Sequence, residues 1–219
     1  MSQKSGNESP LTDDSNKDKK ESKTSNVNEV QQYYNRDVWF VTSNAAKNKI
    51  QLRAKQLEKI SNEITVLSDS GQQKEVHNFL CDIFQKAGCV VHQNYSYSSA
   101  FKATIQSSGL TESATTPTVG LICEYDSVQG FGHSSGNNLL TEATIATLIG
   151  IREAMKSDTR LIGRLVVLGT PFSEEGGGKI RLMKASAFDK IDVILAIHPS
   201  NHNCLLPKFY CSQKVIKKC

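Results

Sequence analysis

Residues 119–138 read V-G-L-I-C-E-Y-D-S-V-Q-G-F-G-H-S-S-G-N-N. The first five form a continuous apolar run of buried-strand length. Glu124 and Asp126 follow, then a glycine-rich turn holding His133, and Leu139 opens a helical pattern. In α/β sheets, pockets form where strands end at their carboxyl termini. A strand that hands acidic side chains to a turn ahead of a helix therefore sets both the fold class and the place to look for chemistry.

Working outward, residues 139–156 carry helical spacing, 165–169 form a second buried strand, 177–187 a further helix, and 193–198 a third continuous apolar strand. Upstream, Ile50, Leu57, Ile60 and Ile64, with Ala54 filling the stripe, place a helix over 43–65. A second helix over 72–87 runs through Val76, Phe79, Leu80, Ile83 and Phe84 until Gly88 stops it. Residues 89–91 and 95–105 read as strands. This order predicts an α/β fold, a mixed and mostly parallel sheet flanked by helices. Three strand ends then feed one pocket: 126–137 after the first, 173–175 after the second, and His198 at the end of the third.

At 219 residues and 38% hydrophobic content the chain can bury one good core. Its net charge of +4 does not point to nucleic acid. Lys208, Lys214, Lys217 and Lys218 follow Pro207 without an acidic residue, leaving the remainder near neutral, and no nucleic-acid-binding motif is present. Residues 1–32 have too few aliphatics to offset ordering and are expected to form a disordered polar tail. No apolar run reaches the ~18 residues of a membrane span, and the opening residues lack the apolar core of a secretory signal. The six cysteines are therefore expected to be reduced, in a cytoplasmic protein, with Cys81, Cys89 and Cys123 as small core residues.

The segment T-P-F-S-E-E-G-G-G-K, residues 170–179, lacks the glycine and lysine order of a phosphate loop. Its acidic pair, Glu174 and Glu175, points to metal or proton work. Ser135 sits in S-S-G-N-N, which fails the nucleophile-elbow pattern, so covalent serine hydrolysis is not expected. Asp126 serves either as a ligand or orienting carboxylate or as a turn residue before the helix. His77 and His92 have no acidic companions and read as ordinary half-buried or surface histidines.

The 119–138 stretch resembles E-Y-D-A-L-P-G-I-G-H-A-C-G-H-N of zinc-dependent amidohydrolases of the aminoacylase/carboxypeptidase type, closest to the dipeptidases that cleave conjugates of basic amino acids. The resemblance spans about residues 51–207 and includes Y-S-S-A-F-K-A at 97–103 and A-I-H-P-S around His198. It implies zinc, a dipeptide-like substrate and a peptidase catalytic domain over 43–207, with a divergent basic tail over 208–219. It also implies site roles. His198 matches a metal ligand, Glu174 takes a ligand position, and Ser173 takes the position of the general base. Ser135 and Asn137 stand where the family has a cysteine and a histidine facing the metals.

A hydroxyl and an amide are poor zinc ligands, and serine cannot serve as a base near neutral pH as a carboxylate can. A one-residue slip would restore the acidic pair as Glu174 and Glu175, and His133 or His202 would offer a substitute donor. The expectation is a truncated, catalytically impaired relative, without nucleic-acid or membrane partners. The family's homodimer is not expected, because the lid domain that forms its dimer surface is missing. An active hydrolase using Asp126, Glu174, Glu175 and His198, or a non-catalytic interaction protein, are the alternatives.

Overall fold

The protein is described by a computed structural model covering residues 22–108, 110, 116–128, 130–173 and 176–199, with side chains from Arg36 onward. Helix α1 spans Ser22–Asp69 and α2 Gln73–Lys86, followed by strands β1 (Val90–Gln93), β2 (Phe101–Gln106) and β3 (Thr118–Cys123). Helix α3 (Asn137–Ser157), β4 (Arg164–Gly169), the short α4 (Gly178–Lys184) and β5 (Val193–Leu195) complete the order. The strands form one sheet in the order β1-β2-β4-β3-β5. β4, β3 and β5 are parallel, β2 pairs antiparallel to β4, and β1 pairs antiparallel to β2, so β2 alone runs against the other four. This is the mixed α/β sheet that the strand and helix alternation predicts.

Side-chain alternation along β4 builds two cores. Leu165 and Val167 enter the larger one with Leu57, Ile60 and Ile64 of α1, Leu80 and Phe84 of α2, and Ile145 and Leu148 of α3. Val166 and Leu168 enter the smaller one, with Ile122, Leu182 and Ala187 on the opposite face. Helices therefore cover both faces of β4 and β3, and chemistry is sought at the carboxyl ends of these strands.

Several boundaries differ from the sequence reading. Helix α1 starts at Ser22 and not at residue 43. The tail expected to be disordered through residue 32 is thus helical from Ser22, while residues 1–21 lie outside the described residues, as do 200–219 with the basic tail. No Pro or Gly interrupts residues 22–69, so a helix anchored on the core can propagate through polar residues that supply no core of their own. Strand β2 begins only at Phe101, because Asn94, Ser96 and Ser99 adopt positive φ in the connection from β1. There the Ser99 amide donates to Asn94 Oδ1 at 3.1 Å.

His77 is buried, beyond the half-buried position expected of it. Its Nδ1 lies 2.8 Å from the Ser99 carbonyl, which can only accept, so Nδ1 carries the proton. Burial lowers the His77 pKa and holds the ring neutral. The role is structural.

Cys81, Cys89 and Cys123 are buried free thiols. Burial pushes Cys81 and Cys89 up to about 11 and Cys123 up to about 12. The reactive thiolate is therefore scarce in the folded protein. Iodoacetamide at pH 8 is expected to spare these three cysteines in the native state and to alkylate them only after unfolding, as read by peptide mapping. Native labelling at the rate of a free thiol would contradict this burial.

Candidate functional site

The loops after β3, β4 and β5 do meet. Asp126, three residues beyond β3, is 6% exposed. The Ser173 hydroxyl, from the loop after β4, donates to its Oδ1 at 2.5 Å. The Thr170 amide donates to the Cys123 carbonyl at 2.9 Å, which ties the two strand ends together just beneath this pair. From the third loop, Pro199 packs against Gly136, where a Cβ would come within 2.9 Å of the proline ring.

Helix α3 is fastened to the end of β3 by its first two turns. Asn137 Nδ2 donates to the Asp126 carbonyl at 2.9 Å. Thr141 Oγ1 donates to the Glu124 carbonyl at 2.5 Å, and Thr144 Oγ1 donates to Ile122 at 3.3 Å. Polar side chains here satisfy backbone carbonyls beyond the reach of the sheet. The threonines at 141 and 144 share one helix face, a spacing legible in the sequence.

Ser173 is held in place by its neighbours. Phe172 adopts φ of 63°, a left-handed conformation unusual for an aromatic residue. The Arg181 guanidinium lies 5.6 Å from its ring centroid and 5.5 Å from that of Tyr97. Tyr97 OH donates to the Pro171 carbonyl at 3.3 Å. Burial, opposed by Arg181, pushes the phenol up to about 12, so Tyr97 stays a neutral donor. Gly178 is required where it stands, since a Cβ there would collide with the Pro171 carbonyl. Lys179 pairs with Glu124, which closes the rim. Tyr97 was legible as part of its motif; Arg181 and Phe172 carried no signal that separates them from ordinary surface and core residues.

The candidate ligand positions behave differently from one another. Ser135 Oγ is buried and makes no hydrogen bond among the described residues. Asn137 spends its amide on the backbone. His198 is exposed and its Nδ1 donates to the Pro199 carbonyl at 2.8 Å. Glu174, Glu175 and His202 lie outside the described residues.

Among the described residues no group of three or more His, Cys, Asp and Glu side chains is gathered within metal-binding range. Asp126 accepts from the Ser173 hydroxyl at its carboxylate and from the Asn137 amide at its backbone carbonyl. A hydroxyl and an amide suit zinc poorly, since it prefers thiolate, imidazole and carboxylate. What the arrangement offers is a buried carboxylate and neutral hydrogen-bonding groups at the mouth of a sheet. No described helix is long and apolar enough to cross a membrane.

Comparison with known proteins supports the family resemblance. The chain is 36% identical over 141 residues to the human Xaa-Arg dipeptidase, a match covering 60% of this chain and 32% of the relative. It is 35% identical over 140 residues to the mouse Xaa-Arg dipeptidase, with the same coverage. The chain therefore spans about a third of the length of the curated relatives it matches. No protein-family model matches it.

Among solved structures, YXEP of Bacillus subtilis, a dinuclear metal-binding peptidase, superposes with a TM-score of 0.55 at 16% identity, covering 68% of this chain and 44% of that one. Human carnosine dipeptidase 1 superposes at 0.52 and 13% identity, covering 69% and 40%. The chain is thus similar over part of its length to Xaa-Arg dipeptidases, and its fold is similar to part of the folds of these two solved peptidases.

Proposed function

We propose that this chain binds dipeptide-like molecules bearing a basic residue, in the pocket where the loops after β3, β4 and β5 meet, and does not hydrolyse them. The Ser173 to Asp126 hydrogen bond at 2.5 Å carries the reading. A base that activates water needs an acceptor facing the substrate. Ser173 instead directs its proton to Asp126, so donor and acceptor satisfy each other. The substrate class comes from the name of the relatives, which act on Xaa-Arg dipeptides. Zinc, the cofactor the resemblance implies, finds a poor donor set around Asp126. Buried free thiols fit a reducing, cytoplasmic setting.

The test uses the full chain, dialysed and then analysed by plasma emission for zinc, titrated calorimetrically with alanyl-arginine, and assayed chromatographically for released arginine. The expected result is saturable binding, no stoichiometric zinc and no arginine above the buffer control. One tightly held zinc per chain, or turnover, would establish an active hydrolase with altered ligands. Absence of binding would remove the dipeptide reading.

A further inference from the structure

His77, on α2, is 2% exposed and faces the connection from β1 to β2. Its Nδ1 donates to the Ser99 carbonyl at 2.8 Å, and Cys81 Sγ lies 3.7 Å from its Nε2. The Phe101 ring is 6.1 Å away, centroid to centroid. The Ser99 carbonyl also accepts from the Tyr125 hydroxyl. One backbone oxygen thus ties together α2, the β1–β2 connection and the segment that carries Asp126.

The connection depends on that tie. Asn94, Ser96 and Ser99 hold φ of 51°, 71° and 65°, a left-handed conformation unfavourable for residues other than glycine. The bonds within the connection are local, with the Tyr95 amide donating to the Ala100 carbonyl at 2.9 Å and the Ala100 amide to the Tyr97 carbonyl at 3.2 Å. Ser96 and Ser98 are exposed. Helix α2, by contrast, is anchored in the larger core by Val76, Leu80 and Phe84, each fully buried. When the tie fails, the connection gives way and the helix stays. Tyr97 moves with the connection, and its hydroxyl holds the Pro171 carbonyl two residues before Ser173.

The tie requires a neutral ring. A second proton would go to Nε2, which faces a thiol, a poor acceptor. The titratable groups around the ring are Cys81 on its own helix and Tyr125 from the segment after β3, and burial pushes both up, so both are neutral. From β2 the ring meets Phe101, and from the connection the Ser99 carbonyl. Lys74 and Glu75, its neighbours on α2, are exposed. None of the groups facing the ring is a carboxylate that could offset a buried imidazolium, which is costly to desolvate. We infer that His77 is an acid-sensitive latch, whose protonation releases the 94–100 connection and so withdraws Tyr97 from the loop that carries Ser173. Burial lowers the His77 pKa in the closed state, against a smaller rise from the Ser99 bond. In the opened state the ring reaches water and regains its ordinary value of 6.5. Opening therefore takes up a proton, and it is favoured as pH falls below 6.5.

The latch acts whatever the Asp126 pocket binds, so its test needs no ligand and stands apart from the dipeptide reading. Amide hydrogen exchange of the full chain, followed by NMR and corrected for intrinsic rates, reads the opening equilibrium at Tyr95 and Ala100. Between pH 6 and pH 5 that equilibrium should rise in the wild type by up to about eightfold, the limit for one group with an open-state value of 6.5. The Leu80 and Phe84 amides of α2 should change by less than about twofold, since the helix does not open with the connection. His77→Asn keeps a side-chain amide that can donate to Ser99 but cannot titrate, and it retains His92, so it should lose the response. A rise below about twofold in the wild type, or an equal rise in His77→Asn, would overturn the latch. Should that variant fail to fold, the wild type decides alone, by ring NMR of histidine-labelled protein. The His77 ring should gain its proton only as Ala100 loses protection, and a ring that is protonated while Ala100 stays protected would overturn the proposal.

Discussion

Phe101→Ala is expected to destabilise the protein by about 4 kcal/mol, the middle of the range for deleting a buried aromatic side chain. Phe101 is 0% exposed at the start of β2. Its ring is stacked 5.9 Å from Tyr125 at an interplanar angle of 20°, and lies 5.2 Å from Phe84 and 6.1 Å from His77. Helix α2, which carries both Phe84 and His77, and the segment after β3 therefore lean on one ring. Tyr125 is the residue before Asp126, and its hydroxyl donates to the Ser99 carbonyl that also receives His77. Loss of the ring should loosen the segment that carries Asp126 as well as the core. Urea unfolding of the wild type, Phe101→Ala and Phe101→Leu is the measurement, with the leucine variant expected to recover more than half of the loss. A cost for the alanine variant below about 1.5 kcal/mol, the range of a mild volume change, would mean that the site collapses around the gap and that the stack is dispensable.

The sequence was most legible where burial is continuous. Residues 119–123 and 165–169 are apolar runs too short for helices, and both are central strands with one face in each core. Convergence of their loops followed from strand polarity alone, and the contact between Ser173 and Asp126 agrees with it. The start of α1 was less legible, because helix propagation from a packed anchor leaves no apolar periodicity behind. The β1–β2 connection also hid its nature. Tyr95 and Tyr97 favour strands, yet the positive φ of Asn94, Ser96 and Ser99 turns the chain before Phe101.

Within the site, residue types were readable but their partners were not. Asp126 reads equally well as a ligand or a turn residue, and only the folded chain brings Ser173, 47 positions away, onto its carboxylate. Asn137 looked like a lost ligand, and the structure gives its amide a different task, holding the Asp126 backbone.

That second task sets the terms for rebuilding a metal site. Ser135 and Ser173 lie in the loops near Asp126 and Asn137 opens α3, and Ser135→Cys, Asn137→His and Ser173→Glu would return thiolate, imidazole and carboxylate to these positions. Without metal the triple variant should be less stable than the wild type by about 3 kcal/mol. Loss of the Asn137 bond to a neutral carbonyl contributes about 1 kcal/mol, and loss of the Ser173 bond to a charged carboxylate about 2 kcal/mol. A new glutamate beside Asp126 adds repulsion between like charges, which a cation relieves.

Zinc should then bind with a micromolar or tighter dissociation constant, about −8 kcal/mol or better. Free zinc at a hundredfold excess over that constant should return about 2.7 kcal/mol of stability, nearly cancelling the loss. Thermal unfolding with and without zinc reads both halves, and plasma emission after dialysis reads the stoichiometry. The single Asn137→His variant supplies the control, with most of its backbone cost and little of the metal affinity. A triple variant that is destabilised as expected but gains nothing from zinc would show that these three side chains do not point at a common centre. The likeness of residues 119–138 to a metal-binding motif would then extend to the backbone and no further.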